Sequence, residues 1–200
     1  MRGSHRPGSP GVGVRLERVR DCRTAIGWQT VSVRDKPTKV FGRRGAARRA
    51  GCDAGAVNDV PHPVPDTIGY LAGRWRLDRR LADARAGVTG TFTGVGEFVP
   101  VPDGLDYAER GELAFGPHRG PAWRRLRYRA DGALVRVEFE DGRFFHDLDL
   151  RKGTWAVTHP CRADGYAGEF RVTSADSFVQ DWTVTGPAKD LHLVTTFARH

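Results

Sequence analysis

From residue 74 onward, apolar and polar side chains alternate in short runs broken by Gly, Pro and Asp. Side chains point to opposite faces of a strand in turn, so each run gathers its apolar set on one face. Arg74–Asp83 alternates Trp75, Leu77 and Leu81 against Arg74, Arg76, Asp78 and Arg80. Thr89–Pro100 puts Phe92 and Phe98 on one face, with Gly90, Gly94 and Gly96 on the same parity. Glycines so placed suggest bends or a close backbone approach, as in a closing barrel. Further runs follow at Leu105–Phe115, Pro121–Arg129, Ala133–Phe139, Arg143–Leu150, Thr154–Cys161, Tyr166–Thr173, Phe178–Thr185 and Lys189–Arg199. Pro102, Asp103 and Gly104 form one turn signal, and Asp131-Gly132 and Asp141-Gly142 form two more. About ten short strands with no helix between them predict an all-β fold, an antiparallel up-and-down β-barrel. One short helical turn precedes it, with Asp66 as N-cap and Gly73 as stop.

Residues 1–65 lack either period. Their Gly-, Pro- and Arg-rich composition cannot bury enough apolar surface to offset ordering, so a disordered basic extension is expected there. The segments VRLERVR and WQTVSV have strand character but no evident pairing partner. An Arg-rich arm for anionic surfaces and a transit peptide are the functional alternatives for this extension. The barrel domain is expected over residues 66–200.

Charge sharpens this division. The chain carries +8, and residues 1–65 hold 13 Lys+Arg against 5 Asp+Glu, which is already +8. Residues 66–200 then hold 19 of each sign. A neutral domain has no basic face with which to release counterions from a nucleic acid, so no specific nucleic-acid partner is expected. No apolar run reaches the length of a membrane-spanning helix, so no membrane partner is expected either. Cys22, Cys52 and Cys161 fit no paired framework, and only Cys161 lies in the barrel segment. A reducing, cytoplasmic setting without a disulfide is the simplest expectation. Nothing in the chain sets the oligomeric state.

The expected inner face is chemically mixed. Phe144, His146, Leu148 and Leu150 share one parity, as do Trp155, Val157, His159 and Cys161. Tyr107 and Glu109 travel inward with Leu105 and Leu113, and Arg124 and Tyr128 travel inward with Leu126. Tyr166 and Trp182 join from later strands. A buried Glu beside a buried Arg is chemically sensible, because each requires a partner. A solid core avoids so many polar groups, whereas a ligand cavity has mostly apolar walls and a few convergent polar ones. The candidate ligand-binding set is therefore Tyr107, Glu109, Arg124, Tyr128, His146, His159, Cys161, Tyr166 and Trp182, for a small, partly polar organic molecule and with no cofactor. Taken singly, each His, the Glu109–Arg124 pair and Cys161 also fit plain structural roles. An enzyme using Glu, His and Tyr as acid–base groups is the alternative. A metal site of His146, His159, Cys161 and Asp164 is a lesser one.

The motif LAGRW at 71–75 resembles the Gly-x-Trp that opens calycin barrels such as lipocalins and nitrobindins. In those proteins the Trp closes the barrel base and stacks under an Arg or Lys of the last strand, which here implies Trp75 and Arg199. The run LAGRW, LDYAERGEL, RLRYR, DGRFFHDLDL, THPCRADGY and WTVTGPAKD resembles the domain of unknown function 6314 family. That likeness covers about residues 66–200. It implies a calycin-like barrel and no established activity. The likeness to nitrobindins also raises haem binding through a C-terminal histidine, for which this chain offers His192. By parity His192 points outward, and no haem motif surrounds it.

Overall fold

The computed structural model describes residues 29–30 and 60–200. A two-residue strand, β1 (Gln29–Thr30), comes first, and the helix α1 (Thr67–Leu71) follows. Ten strands then run in order: β2 (Gly73–Asp83), β3 (Val88–Val101), β4 (Gly104–Phe115), β5 (His118–Asp131) and β6 (Leu134–Phe139). The second five are β7 (Phe144–Leu148), β8 (Thr154–Cys161), β9 (Asp164–Ser174), β10 (Ser177–Gly186) and β11 (Lys189–Arg199). Neighbours pair antiparallel in the order β7-β6-β5-β4-β3-β2-β11-β10-β9-β8. From β2 to β7 and from β8 to β11 each strand therefore pairs with the next in sequence, β11 returns to β2, and β1 pairs with β5. The result is the expected up-and-down barrel, open at one seam. No ladder joins β7 to β8 among the described residues, and the Trp155 indole bridges them by donating to the Asp147 carbonyl at 2.8 Å.

Alternation builds the wall. β2 buries every second residue from Trp75 to Leu81, β9 does the same from Tyr166 to Val172, and the intervening residues are exposed. The inner side chains form one core that includes Trp75, Phe92, Phe98, Phe170, Phe178 and Phe197. Gly94 and Gly111 face each other across β3 and β4. A Cβ on Gly94 would lie 2.3 Å from the Arg110 carbonyl, so these two strands meet more closely than any larger residue allows.

The helix closes the end where β2 begins. Asp66 caps it through the Gly69 amide, and the Thr67 hydroxyl accepts from the Leu150 amide at 2.9 Å. The Trp75 indole donates to the Leu71 carbonyl at 2.7 Å. The Arg199 guanidinium lies 4.0 Å from the centre of the Trp75 ring and donates to the Ala72 and Tyr70 carbonyls at 2.6 and 2.8 Å. This is the base closure implied by the Gly-x-Trp resemblance.

Two expectations need correction. Phe144 does not face inward: it is 41 % exposed, and Phe145 and His146 are both buried. The register shifts between Val137 and Glu138, which pair with His146 and Phe144 and leave Phe145 as a bulge residue. A bulge reverses the parity that assigned Phe144. The segment WQTVSV also has a partner, since Gln29 and Thr30 pair with Trp123 and Ala122 of β5. The rest of the expected N-terminal extension up to residue 59, with Cys22, Cys52 and VRLERVR, lies outside the described residues.

Candidate functional site

The alternation that buries Trp75, Leu77 and Leu81 on β2 also buries Arg79, at 3 % exposure. The same register carries Glu109 inward on β4 and Arg124 inward beside it on β5, where the two are directly paired. Three ionic side chains thus meet inside the barrel. Arg79 donates through both terminal nitrogens to the two Glu109 oxygens, at 2.9 and 3.1 Å. Arg124 Nη2 donates to Glu109 Oε2 at 3.0 Å, and the Tyr107 hydroxyl donates to the same oxygen at 2.6 Å. Arg79 Nε donates to the Thr195 hydroxyl of β11 at 2.6 Å. A buried carboxylate is tolerated when its lone pairs are met by charge-assisted donors, and Glu109 has four of them.

The electrostatics follow from this packing. Burial alone would raise the Glu109 carboxyl, but the charges of Arg124 and Arg79 and the bonds from Arg79 and Tyr107 hold it far below the usual carboxylate range. Burial pushes the Tyr107 hydroxyl well above its usual range, and the Glu109 charge adds to that. Tyr128 is raised too, again by burial. Both phenols stay neutral donors.

A second group lies on the strands beyond. Phe145 stacks on Trp182 with ring centres 5.3 Å apart and planes 14° from parallel. His146 sits 5.4 Å from Phe170 and 5.5 Å from Trp182. His159 lies 5.3 Å from Phe145 and 6.0 Å from Tyr166. Burial lowers the His146 imidazole to about 4, and the charges of His159 and Arg124 push the same way. His146 is therefore neutral near pH 7. His146 Nδ1 lies 2.8 Å from the Asp147 carbonyl. A carbonyl can only accept, so the proton sits on Nδ1 and Nε2 is left as an acceptor. Gly168 makes room for the Trp182 ring, which a Cβ there would meet at 2.7 Å.

The structure thus places Tyr107, Glu109, Arg124, Tyr128, His146, Tyr166 and Trp182 among the buried inner side chains, with His159 and Cys161 half-buried. Tyr107, Glu109, Arg124 and Tyr128 gather on one side, and His146, His159, Tyr166 and Trp182 on the other. Tyr166 accepts from Lys189 at 3.1 Å, and Lys189 pairs with Asp164 at 2.7 Å. Cys161 is disulfide-bonded, against the expectation of a free thiol, and so has no thiolate for nucleophilic or metal chemistry. Among the described residues, no three His, Cys, Asp or Glu side chains converge in metal-binding geometry. His192 faces outward and pairs with Asp181 at 2.8 Å. Arg79 and Phe145 were the residues missed: Arg79 shares the apolar parity of its strand, whereas nothing in the sequence marks the bulge. Val95, Glu97, Ala108, Arg110, Trp123 and Arg125, together with Glu109 and Arg124 of the ionic cluster, line a pocket of about 360 Å³.

Fold and interior together define an up-and-down β-barrel with a buried ionic cluster and an aromatic–imidazole wall. The chain belongs to a family of unknown function, DUF6314, whose model matches residues 71–199. No curated protein matches it. Among solved structures, the barrel is similar to a protein of unknown function from the DUF3598 family of Nostoc punctiforme, with a TM-score of 0.50 and 13 % identity. That match covers 70 % of this chain and 51 % of the other, so this chain spans about half of that protein's length. It is also similar to an S-type phycobiliprotein lyase from Guillardia theta, with a TM-score of 0.48 and 9 % identity over 66 % of this chain and 90 % of that one. At these identities the likeness concerns the fold alone.

Proposed function

We propose that this protein is a binding module whose barrel takes up a small, partly polar organic molecule with an aromatic or acyl body. The supporting observation is the burial of Arg79, Tyr107, Glu109, Arg124, His146, Gln180 and Thr195 within apolar walls. Such a concentration of buried donors and acceptors is costly for a core that only needs to be stable. It suits a site in which a few fixed polar groups orient a ligand. Arg124 would meet an anionic or carbonyl group, His146 Nε2 a donor, and Phe145, Phe170 and Trp182 the flat or aliphatic body. Tyr128, His159 and Tyr166 complete the binding set.

Binding is favoured over catalysis by the state of Glu109. A carboxylate bonded to two guanidiniums and a phenol, and held far below neutral, is a poor general base. Native mass spectrometry of the purified full-length chain tests the proposal, together with intrinsic fluorescence titration against aromatic and acyl carboxylates. A retained molecule, or saturable quenching that Trp182→Phe reduces, is the expected result. The absence of both across such a panel overturns the reading.

A further inference from the structure

The buried polar side chains of the interior are of two kinds. Those of the ionic cluster bond one another: Glu109 takes four donors, and the Thr195 hydroxyl takes Arg79 Nε. Four others make no hydrogen bond at a polar end among the described residues. They are the Tyr128 hydroxyl, His146 Nε2, the Gln180 amide and Trp182 Nε1, on side chains only 3, 2, 7 and 3 % exposed. None of these atoms is sealed off, so each meets space that a water molecule can enter. A buried polar group of that kind takes its partner from water or from a bound molecule. Tyr128 stands apart, separated from His146 by Val137 of the strand between them. The other three form one patch. Gln180 and Trp182 lie two residues apart on the inner face of β10. His146 lies 5.5 Å from Trp182 and 5.4 Å from Phe170, and Phe170 is the direct cross-strand partner of Gln180.

The bonding senses of the patch select a ligand group. An indole N–H only donates. The His146 Nδ1 proton goes to the Asp147 carbonyl, so Nε2 only accepts. Gln180 does both. A carboxylate would serve Trp182 but set its oxygens against the Nε2 lone pair, and burial keeps that imidazole without a second proton near pH 7. An ammonium would serve His146 and leave Trp182 unmet. An amide carries both senses on one group and brings no charge into the interior. Apolar walls for its body stand alongside: Phe145 stacks on Trp182, and Phe170 meets the same ring edge-on at 5.8 Å. We infer that the aromatic–imidazole wall is a subsite for a neutral aromatic amide, whose carbonyl accepts from Trp182 and whose N–H donates to His146, with Gln180 as a further partner. This names the polar end of the ligand and rests on the reading of the barrel as a binding module.

The test is a nuclear magnetic resonance titration of the isotope-labelled full-length chain at pH 7. The Trp182 indole signal is identified by its loss in Trp182→Phe. The probes are benzamide, benzoate, N,N-dimethylbenzamide and benzyl alcohol. Benzamide should shift the Trp182 indole N–H saturably. Benzoate and N,N-dimethylbenzamide should bind about tenfold more weakly, the effect of leaving one buried partner unpaired. In His146→Phe the preference for benzamide over N,N-dimethylbenzamide should vanish, whereas a merely steric preference would persist. The wild-type ranking stands whether or not that variant folds. Benzoate, N,N-dimethylbenzamide or benzyl alcohol binding as tightly as benzamide overturns the amide assignment, and an indole signal that no probe shifts overturns the subsite. If native mass spectrometry retains another molecule in either case, the proposed function survives and this inference alone falls.

Discussion

Replacing Glu109 by Gln tests the ionic cluster directly. The change keeps the side-chain shape and removes the charge. Glu109 is 1 % exposed, and its two oxygens receive both Arg79 nitrogens, Arg124 and Tyr107. Gln offers one acceptor oxygen and an NH2 that faces guanidinium donors. Two buried cations then lose their counter-charge, which typically costs ~3–5 kcal/mol. A domain of this size has about 5–15 kcal/mol in total, so the variant should fold but melt about 10–20 °C lower. Circular dichroism melts and urea titrations at pH 7 measure this. The pH profile supplies an independent check. The Glu109 carboxyl is depressed in the folded state, so its contribution is fully present above the unfolded value of about 4.3 and declines as pH falls below it. The gap between wild type and Glu109→Gln should therefore be constant from pH 8 to about 5 and narrow below about 4.3. Replacing Arg79, Glu109 and Arg124 together by Met, Leu and Met should recover most of the loss, because an apolar isostere of a buried ion cluster is often neutral. A Glu109→Gln cost below ~1 kcal/mol, with no narrowing in acid, would show that the carboxylate is not the buried counter-ion described here.

Burial makes His146 harder to protonate than an ordinary histidine. Burial holds its folded value at about 4 against 6.5, so the unfolded chain binds the proton first and stability falls as pH drops from 6.5 to 4, by about 3 kcal/mol in all. His146→Phe keeps the packing against Trp182 and Phe170, and Trp155 still satisfies the Asp147 carbonyl. The variant should lose that acid sensitivity when urea midpoints at pH 7 and 5 are compared, and an unaltered pH difference refutes the assignment. Gly168→Ala drives a Cβ into the Trp182 ring and should cost about 1–3 kcal/mol, and Trp182→Phe in the same chain should restore part of it. Arg199→Met removes two carbonyl contacts and the cation over Trp75, and should lower stability by about 1–3 kcal/mol with a red-shifted Trp emission.

Strand parity made most of this interior legible. A period of two needs no tertiary information, so it placed Tyr107, Glu109, Arg124 and Tyr128 inside, and it predicted all ten barrel strands within a few residues of their observed ends. The Glu109–Arg124 contact followed because both fall on inner parities of neighbouring strands. Arg79 was equally accessible on the parity of Trp75, Leu77 and Leu81. The habit of sending arginine to solvent concealed it, because only a carboxylate from another strand makes its burial tolerable. Phe145 was not accessible by this route. In FFHDL either Phe fits the inner parity, and the bulge opposite Val137 and Glu138 decides between them.

The two halves of the interior differ in how they are held. Arg79, Tyr107, Glu109, Arg124 and Thr195 come from β2, β4, β5 and β11, which with β3 form one continuous run of ladders. Polar groups on such a run are fixed by the pairing beneath them, as groups that orient a ligand need to be. The aromatic–imidazole half comes from β7 to β10, where the ladder order ends at the β7–β8 seam. The Trp155–Asp147 bond and ring contacts such as Phe145–His159 hold that seam, and these give way at lower cost than a continuous ladder. The ionic cluster therefore sits on unbroken ladders, and the aromatic–imidazole contacts flank the seam. A barrel that only needed a core would have no reason to divide its interior this way. The proposed uptake of a partly polar molecule would draw on both halves.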